Sequence, residues 1–210
     1  MDTARIESEG IKPIKNDLAK INAISNIEDI QKLITEYHNE GLSFLFEADP
    51  EQDLAENTKI IIYAGQGGLG LPDRDYYTRE DEESVTLRAE YVNHVSKMLQ
   101  LIGYDETSAK SQAETILKME TRLANASLTN VELRDPAGWY NIKTVVETNA
   151  ETPNFNWSKH FEDQGLSDIE SFSYAHPKFF AEMNLMLSEE PIENWNVISG
   201  GILPTERRHI

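Results

Sequence analysis

Five histidines are the side chains in this 210-residue chain best suited to bind a metal ion. A zinc-dependent hydrolase helix carries two histidines four residues apart and a glutamate beside the first, so that both imidazoles reach one ion while the carboxylate activates its water. The histidines here occupy positions 38, 94, 160, 176 and 209, and no two have that spacing. The run His160-Phe161-Glu162 is only a partial match, because no second histidine follows it. The sequence therefore predicts no metal-binding residue in this chain.

A glycine-rich run at residues 65–70 matches the G-x-G-x-x-G pattern of dinucleotide-binding proteins and follows a predicted strand. A phosphate-binding turn must lead directly into a helix whose N-terminus faces the pyrophosphate. Here Leu71-Pro72-Asp73 intervenes, and the next predicted helix begins only near Asp81. The sequence therefore predicts no nucleotide site and no cofactor-binding residue.

Other catalytic patterns are missing as well. The chain has no cysteine, which excludes a thiolate nucleophile, a Cys-ligated zinc ion and an iron–sulfur cluster. No Gly-x-Ser-x-Gly nucleophile elbow occurs. The acidic runs at residues 49–53 and 80–83 lack the spacing of a calcium loop and are better explained as solvated surface. We assign no catalytic residue.

Charge and hydropathy exclude two classes of partner. The formal net charge of −18 repels phosphate backbones, so nucleic acid is not an expected partner. No stretch of 18 consecutive apolar residues occurs, so the sequence predicts no membrane span.

Helical periodicity dominates the chain and predicts a mainly α fold with one β-hairpin. Ser25 and Glu28 fit a capping box at the start of an early helix, which Gly41 ends. Two long apolar stripes, at residues 85–102 and 109–124, predict an αα-hairpin, with Asp105 or Thr107 as the cap of the second helix. Short apolar runs at residues 43–48 and 59–64 predict a β-hairpin with a long polar tip. Short helices are predicted downstream, at residues 144–149, 157–161, 177–187 and 192–197.

Two clusters combine turn residues with charged and aromatic side chains. In residues 66–77, three glycines and Pro72 encode one specific turn, because glycine permits positive φ and proline fixes φ. A run with two aspartates flanking an arginine and two tyrosines follows it, and Leu133-Arg134-Asp135-Pro136 forms a second cluster. Turn chemistry alone accounts for these residue types, so an architectural role is favoured for both clusters. Contact with a peptide substrate or a partner lobe is the alternative.

These clusters, with the helical run at residues 119–126 and the Phe155-Asn156-Trp157 element, resemble the neprilysin family of zinc metalloendopeptidases, which includes the bacterial oligopeptidase O enzymes. The likeness covers roughly residues 1–195, including the start at Met1-Asp2-Thr3-Ala4-Arg5. The residues that match the family motifs, with an expected structural role, are Gly68, Gly70, Leu71, Pro72, Asp75, Tyr76, Tyr77, Arg134, Asp135, Pro136, Tyr140, Asn141 and Trp157.

The resemblance implies two largely helical lobes that enclose a cavity. One lobe carries the zinc helix, and the other is a lid that limits access to oligopeptides. This chain is similar to the N-terminal region that supplies most of the lid, while the family's zinc helix and Asn-Ala substrate motif lie further downstream and are not found here. We therefore expect zinc, a C-terminal catalytic lobe and an oligopeptide substrate only in a full-length parent, and no activity from this chain alone. The alternative is a free-standing helical module that binds peptides or proteins without catalysis.

The resemblance also gives expectations about boundaries and source. Residues 1–197 are expected to form the lid-lobe region of a truncated parent. Residues 198–210 are expected to be a divergent tail, because Gly200, Gly201 and Pro204 should break the last helix. Animal members of the family are rich in disulfides, so the absence of cysteine suggests a bacterial parent, in the cell envelope or the cytoplasm.

Overall fold

Helices account for most of the chain in the computed structural model, which describes the backbone of residues 10–206 and the side chains of residues 10–200. This confirms the predicted mainly α fold. Within the described residues the helices are α1 (Lys15–Asn22), α2 (Ile27–Asn39), α3 (Asp75–Thr78), α4 (Glu82–Leu101), α5 (Glu106–Ala126), α6 (Pro136–Trp139), α7 (Val145–Glu151), α8 (Trp157–Asp163), α9 (Pro177–Glu189) and α10 (Ile192–Glu206). The strands are β1 (Phe46–Gln52), β2 (Ile60–Gln66), β3 (Ile142–Thr144) and β4 (Ser171–Tyr174).

Capping side chains start the long helices. Asp81 and Asp105 accept backbone N–H groups at the first turns of α4 and α5, and the predicted αα-hairpin between them is confirmed, with Gly103 at φ 110° in its connection. The predicted capping box at α2 is wrong by one position. Asn26 is the cap, and its side chain accepts the N–H of Asp29, whereas the Ser25 hydroxyl donates to the Asp29 carboxylate.

The four strands form one sheet in the order β1-β2-β4-β3. The predicted hairpin is confirmed as an antiparallel pair in which Phe46 lies opposite Gln66, but residues 49–52 belong to β1 rather than to a loop. The backbone N–H of Asp53 donates to the carbonyl of Lys59. Because hydrogen-bonded and non-hydrogen-bonded pairs alternate in an antiparallel ladder, the backbone N–H and C=O groups of the odd-numbered β1 residues face β2, and the nitrogen of Pro50 faces the free edge. Proline is tolerated at such an edge position, which explains why the strand continues through it.

The sheet extends beyond the predicted hairpin. Strand β4 lies parallel to β2, with Ala64 opposite Tyr174, and β3 lies antiparallel to β4. Strands β3 and β4 are both short, and each pairs only with a strand that lies far away in the sequence.

An aromatic cluster fills the space between the sheet and the helices. Trp157 has no exposed surface, and its ring contacts the rings of Phe46, Phe172 and Phe180 at centroid distances between 5.0 and 5.4 Å. Its indole N–H donates to the hydroxyl of Thr152 at 2.9 Å. Such burial of a large aromatic side chain with a satisfied N–H makes Trp157 a central element of the core.

The last helix runs further than predicted. Helix α10 extends to Glu206, so the expected end near residue 197 is wrong. Glycine lowers helix propensity by about 1 kcal/mol without forbidding the helix, and the buried Trp195 and Ile198 hold the preceding turns in the core. Whether residues 198–210 are a divergent tail stays a prediction, and residues 1–9 and 207–210, including the family-like start at Met1, lie outside the described residues.

Between residues 10 and 206, none of the helices combines the length and the apolar composition that crossing a lipid bilayer requires.

Candidate functional site

The glycine turn, residues 67–72, packs directly against two other segments. Gly68 has φ 69°, and a Cβ atom there would lie 2.6 Å from the carbonyl oxygen of Leu45. A Cβ atom on Gly70 would lie 2.0 Å from the hydroxyl of Tyr91 in α4. Gly68 is therefore required both for its positive φ and for the close approach of the Leu45 backbone, and Gly70 is required for the close approach of the Tyr91 hydroxyl.

The segment after the turn fastens it to the end of α5. Asp73 accepts the N–H of Asp75 at 2.8 Å through one carboxylate oxygen and the side-chain amide of Asn130 at 2.9 Å through the other. The Nε–H of Arg74 donates to the carbonyl of Ala124 at 3.0 Å. These contacts join α3 to α5 and to the loop that follows it.

A buried carboxyl lies beneath the turn. The hydroxyls of Tyr77 and Tyr91 donate to the two carboxylate oxygens of Glu120 at 2.9 and 2.8 Å. Tyr77 in turn accepts the N–H of Leu71 at 2.8 Å. Glu120 has no exposed surface, and desolvation raises its pKa to about 7, although the tyrosine hydrogen bonds oppose the shift. The carboxyl is enclosed and cannot contact a substrate.

Residues 135–141, which begin in the second cluster, contact the tip of the β1–β2 hairpin. The Asp135 carboxylate accepts the N–H of Ala137 at the start of α6. The hydroxyl of Tyr140 donates to Asp53 at 2.6 Å, and this bond raises the pKa of Tyr140 to about 12. The side-chain amide of Asn141 donates to the carbonyl of Tyr174 in β4 at 3.0 Å. Residues 135–141 therefore tie the hairpin tip to the added strands.

The motif residues do not form one site. Leu71 and Tyr77 lie together at Glu120, where Gly70 approaches Tyr91, and Tyr140 and Asn141 lie at the sheet. Trp157 lies in the aromatic core, and the Arg134 side chain is exposed. Their expected structural role stays a prediction.

The histidines are dispersed. His38 and His160 contact each other in the aromatic core with ring centroids 5.2 Å apart, whereas His94 is exposed and His176 lies against β2. His209 lies outside the described residues. Within residues 10–200, no group of three or more histidine and carboxylate side chains is arranged to hold a metal ion, so these residues do not fit zinc.

His160 and His176 are expected to be neutral and to occupy opposite tautomers. The Thr35 hydroxyl donates to the Gln31 carbonyl and must accept from Nδ1–H of His160, whereas Nδ1 of His176 accepts the N–H of Gln66. Burial lowers the pKa of His160 to about 3 and that of His176 to about 4. Imidazole ¹H–¹⁵N spectra at pH 5.5 should show an Nδ1–H ring for His160 and an Nε2–H ring for His176. A protonated ring at either position would contradict this assignment.

An ion cluster joins α5 to the C-terminal half of α9 and to the residue that follows it. Arg122 donates to Glu182 at 2.6 Å, to Glu189 at 2.8 Å and to Glu190 at 2.6 Å. The Glu190 side chain is only 6% exposed. The guanidinium therefore binds α5 to the C-terminal end of α9, and Glu190 also accepts the side-chain amide of Asn194 in α10.

Sequence reasoning missed both the buried Glu120 and the Arg122 ion cluster. Glu120 occupies a position in the apolar stripe of α5, between Leu117 and Leu123. A carboxylate on an apolar stripe is the signal that could have identified it, since unpaired acids are rarely buried. No local pattern indicates the partners of Arg122, which lie 60 to 68 residues away.

Comparison of the sequence with known proteins identifies one family that matches most of the chain. A model of peptidase family M13 matches residues 1–198. Endothelin-converting enzyme 1 of Cavia porcellus is 30% identical over 166 residues, which are 75% of this chain and 22% of that protein. An endothelin-converting enzyme homolog of Locusta migratoria is 30% identical over 193 residues, which are 85% of this chain and 26% of that protein.

Solved structures share the fold. A crystal structure of the zinc metalloprotease Zmp1 of Mycobacterium tuberculosis matches with a TM-score of 0.89 at 23% identity, covering 96% of this chain and 31% of that chain. PepO of Lactobacillus rhamnosis matches with a TM-score of 0.72 at 15% identity, covering 95% of this chain and 31% of that chain. This chain therefore spans about a quarter of its curated relatives and about a third of these structures.

Proposed function

The chain belongs to peptidase family M13, and we propose that it is the non-catalytic N-terminal region of a zinc metalloendopeptidase. In this proposal it restricts the access of substrates to a zinc site carried by a C-terminal catalytic region. The observation that carries the proposal is a family match over residues 1–198 in a chain without two histidines four residues apart.

The geometry supports a scaffold rather than a reaction centre. The polar side chains of the motif residues form hydrogen bonds within the chain. Tyr77 donates to Glu120, Tyr140 donates to Asp53, and Asn141 donates to a carbonyl of β4. The glycine turn is closed by backbone contacts with Leu45 and by the Tyr91 hydroxyl. We therefore propose a structural role for the motif residues, which fix the hairpin and the α4–α5 pair relative to each other.

Co-expression tests this proposal. The chain is produced alone, and together with a zinc-bearing C-terminal region of the same parent, and hydrolysis of an eight-residue reporter peptide is measured with and without a chelator. We expect no hydrolysis by the chain alone and chelator-sensitive hydrolysis by the pair.

The matched control replaces the catalytic glutamate of the C-terminal region, which should abolish hydrolysis without preventing association. Chelator-sensitive hydrolysis by the chain alone would overturn the proposal. Peptide binding by a monomeric chain that neither associates with the C-terminal region nor restores activity would instead support the free-standing binding module.

A further inference from the structure

The α7–α8 groove, of about 560 Å³, lies between these two helices and the loop that leads into β4. Its apolar lining residues are Val145, Val146, Phe161, Leu166 and Ile169. Val145 and Phe161 are buried and belong to the main hydrophobic core, so they form the floor of the groove. Val146 is 78% exposed and Leu166 is 37% exposed. The groove therefore presents two large apolar side chains to solvent above an apolar floor.

Backbone hydrogen bonds fix both walls of the groove. At the end of α8, the N–H of Leu166 donates to the carbonyl of Phe161 at 2.8 Å. The N–H of Gly165, which has φ 75°, donates to the carbonyl of Glu162 at 2.9 Å, and the two bonds form a Schellman motif. On the other side, a capping box at Thr144 starts α7. The groove is therefore preformed, which lowers the ordering cost of binding.

The charged residues that line the groove are both acidic. They are Glu162 and Glu170, and no lysine or arginine lines the groove with them. Within residues 10–200, neither carboxylate lies at ion-pair distance from a lysine or arginine. Lys159, the basic residue of α8, forms its ion pair with Asp163. A cationic side chain bound in the groove could therefore pair with either glutamate without breaking an existing ion pair.

We propose that the α7–α8 groove docks a segment of a separate protein in which one large apolar side chain is flanked by lysine or arginine. The apolar side chain covers Val146 and Leu166, and the basic side chains pair with Glu162 and Glu170. Charge complementarity selects this occupant, because a second copy of this chain, with a formal net charge of −18, is repelled. The groove is built by this chain alone, and the proposal does not depend on the proposed function.

Peptide titration of the full chain tests the groove. The probe is a peptide with a central phenylalanine and two lysines on each side, and ¹H–¹⁵N amide shifts locate it at physiological ionic strength. We expect saturable shifts at the amides of Val146, Leu166 and Ser167. A peptide with a central glycine should bind at least about tenfold more weakly, because it buries no anchor. A peptide with glutamates in place of the lysines should not bind, because Glu162 and Glu170 repel it.

Variants of the chain separate the groove from general charge attraction. Val146→Lys removes an apolar contact and repels the basic side chains, so the phenylalanine peptide should bind at least about tenfold more weakly. Val131→Lys is the matched control, since Val131 is 73% exposed and does not line the groove, and it should change the affinity little. Replacing both glutamates, Glu162→Gln with Glu170→Gln, should weaken binding and reduce its dependence on salt.

Several results would overturn the docking proposal. They are the absence of saturable shifts, shifts that map outside the groove, equal affinities of the phenylalanine and glycine peptides, and equal affinities of Val146→Lys and Val131→Lys. Self-association of the unmodified chain that Val146→Lys abolishes would identify a second copy as the occupant instead. Loss of association with the C-terminal region of the parent in Val146→Lys would identify that region as the occupant. We expect sedimentation to show neither effect.

Discussion

Replacing Gly68 by alanine should lower the free energy of unfolding by about 3 to 5 kcal/mol, the largest effect that we expect from adding one methyl group to this chain. Part of the loss comes from the positive φ of 69°, because a residue with a Cβ atom adopts this backbone conformation at a cost of about 1 to 2 kcal/mol. The rest comes from the carbonyl oxygen and Cα of Leu45, which would lie 2.6 and 2.9 Å from the new atom. Both are backbone atoms, so no rotamer change relieves the contact.

Gly41→Ala is the matched control for Gly68→Ala. Gly41 has φ 76°, and nothing lies within 4 Å of the position of its Cβ atom. This variant should therefore carry the backbone cost alone, about 1 to 2 kcal/mol. Urea unfolding followed by circular dichroism measures both variants. Equal losses at the two positions would contradict the close packing between the glycine turn and Leu45.

Replacing Arg122 by methionine should destabilise the chain by about 1 to 3 kcal/mol at neutral pH. The substitution leaves Glu182, Glu189 and Glu190 without their common cation, and Glu190 is almost fully enclosed. Two of these carboxylates also lie at the C-terminal end of α9, where the helix dipole disfavours negative charge. Thermal unfolding at several pH values measures the effect, and the deficit should shrink at acidic pH because the released glutamates become protonated.

Lys159→Met tests whether this loss is specific to the buried cluster. Lys159 forms an exposed ion pair with Asp163 one helical turn away, and such pairs contribute about 0 to 1 kcal/mol. A loss of less than about 1 kcal/mol in Arg122→Met, or one that equals the loss in Lys159→Met, would show that the cluster does not bind α5 to α9.

The sequence predicts those parts of the fold that local patterns determine. Apolar stripes of period 3.6 predict α4 and α5. The β-branched run at residues 60–62 predicted strand β2. For the polar residues of β1 the sequence predicts a loop, because an exposed edge strand carries no apolar alternation to identify it.

Long-range pairing accounts for what the sequence did not predict. Strand β4 pairs with the edge of β2, β3 pairs with β4, and neither added strand has enough residues for a recognisable pattern. The partners of Glu120 lie 29 and 43 residues away, so only the fold brings two tyrosines onto one carboxyl. Helix α10 continues through Gly200 because tertiary contacts at Trp195 and Ile198 outweigh a weak local propensity.

The proposed role of this chain in restricting the access of substrates to the zinc site is tested most directly by the dependence of hydrolysis on substrate size. The C-terminal region of the parent is assayed with and without this chain, on an eight-residue peptide and on the same cleavage sequence displayed in a folded protein. With the chain present, we expect chelator-sensitive cleavage of the peptide and little cleavage of the protein, and this preference should weaken when the chain is omitted. Chelator-sensitive cleavage by the chain alone, or a size preference that its omission leaves unchanged, would contradict the role.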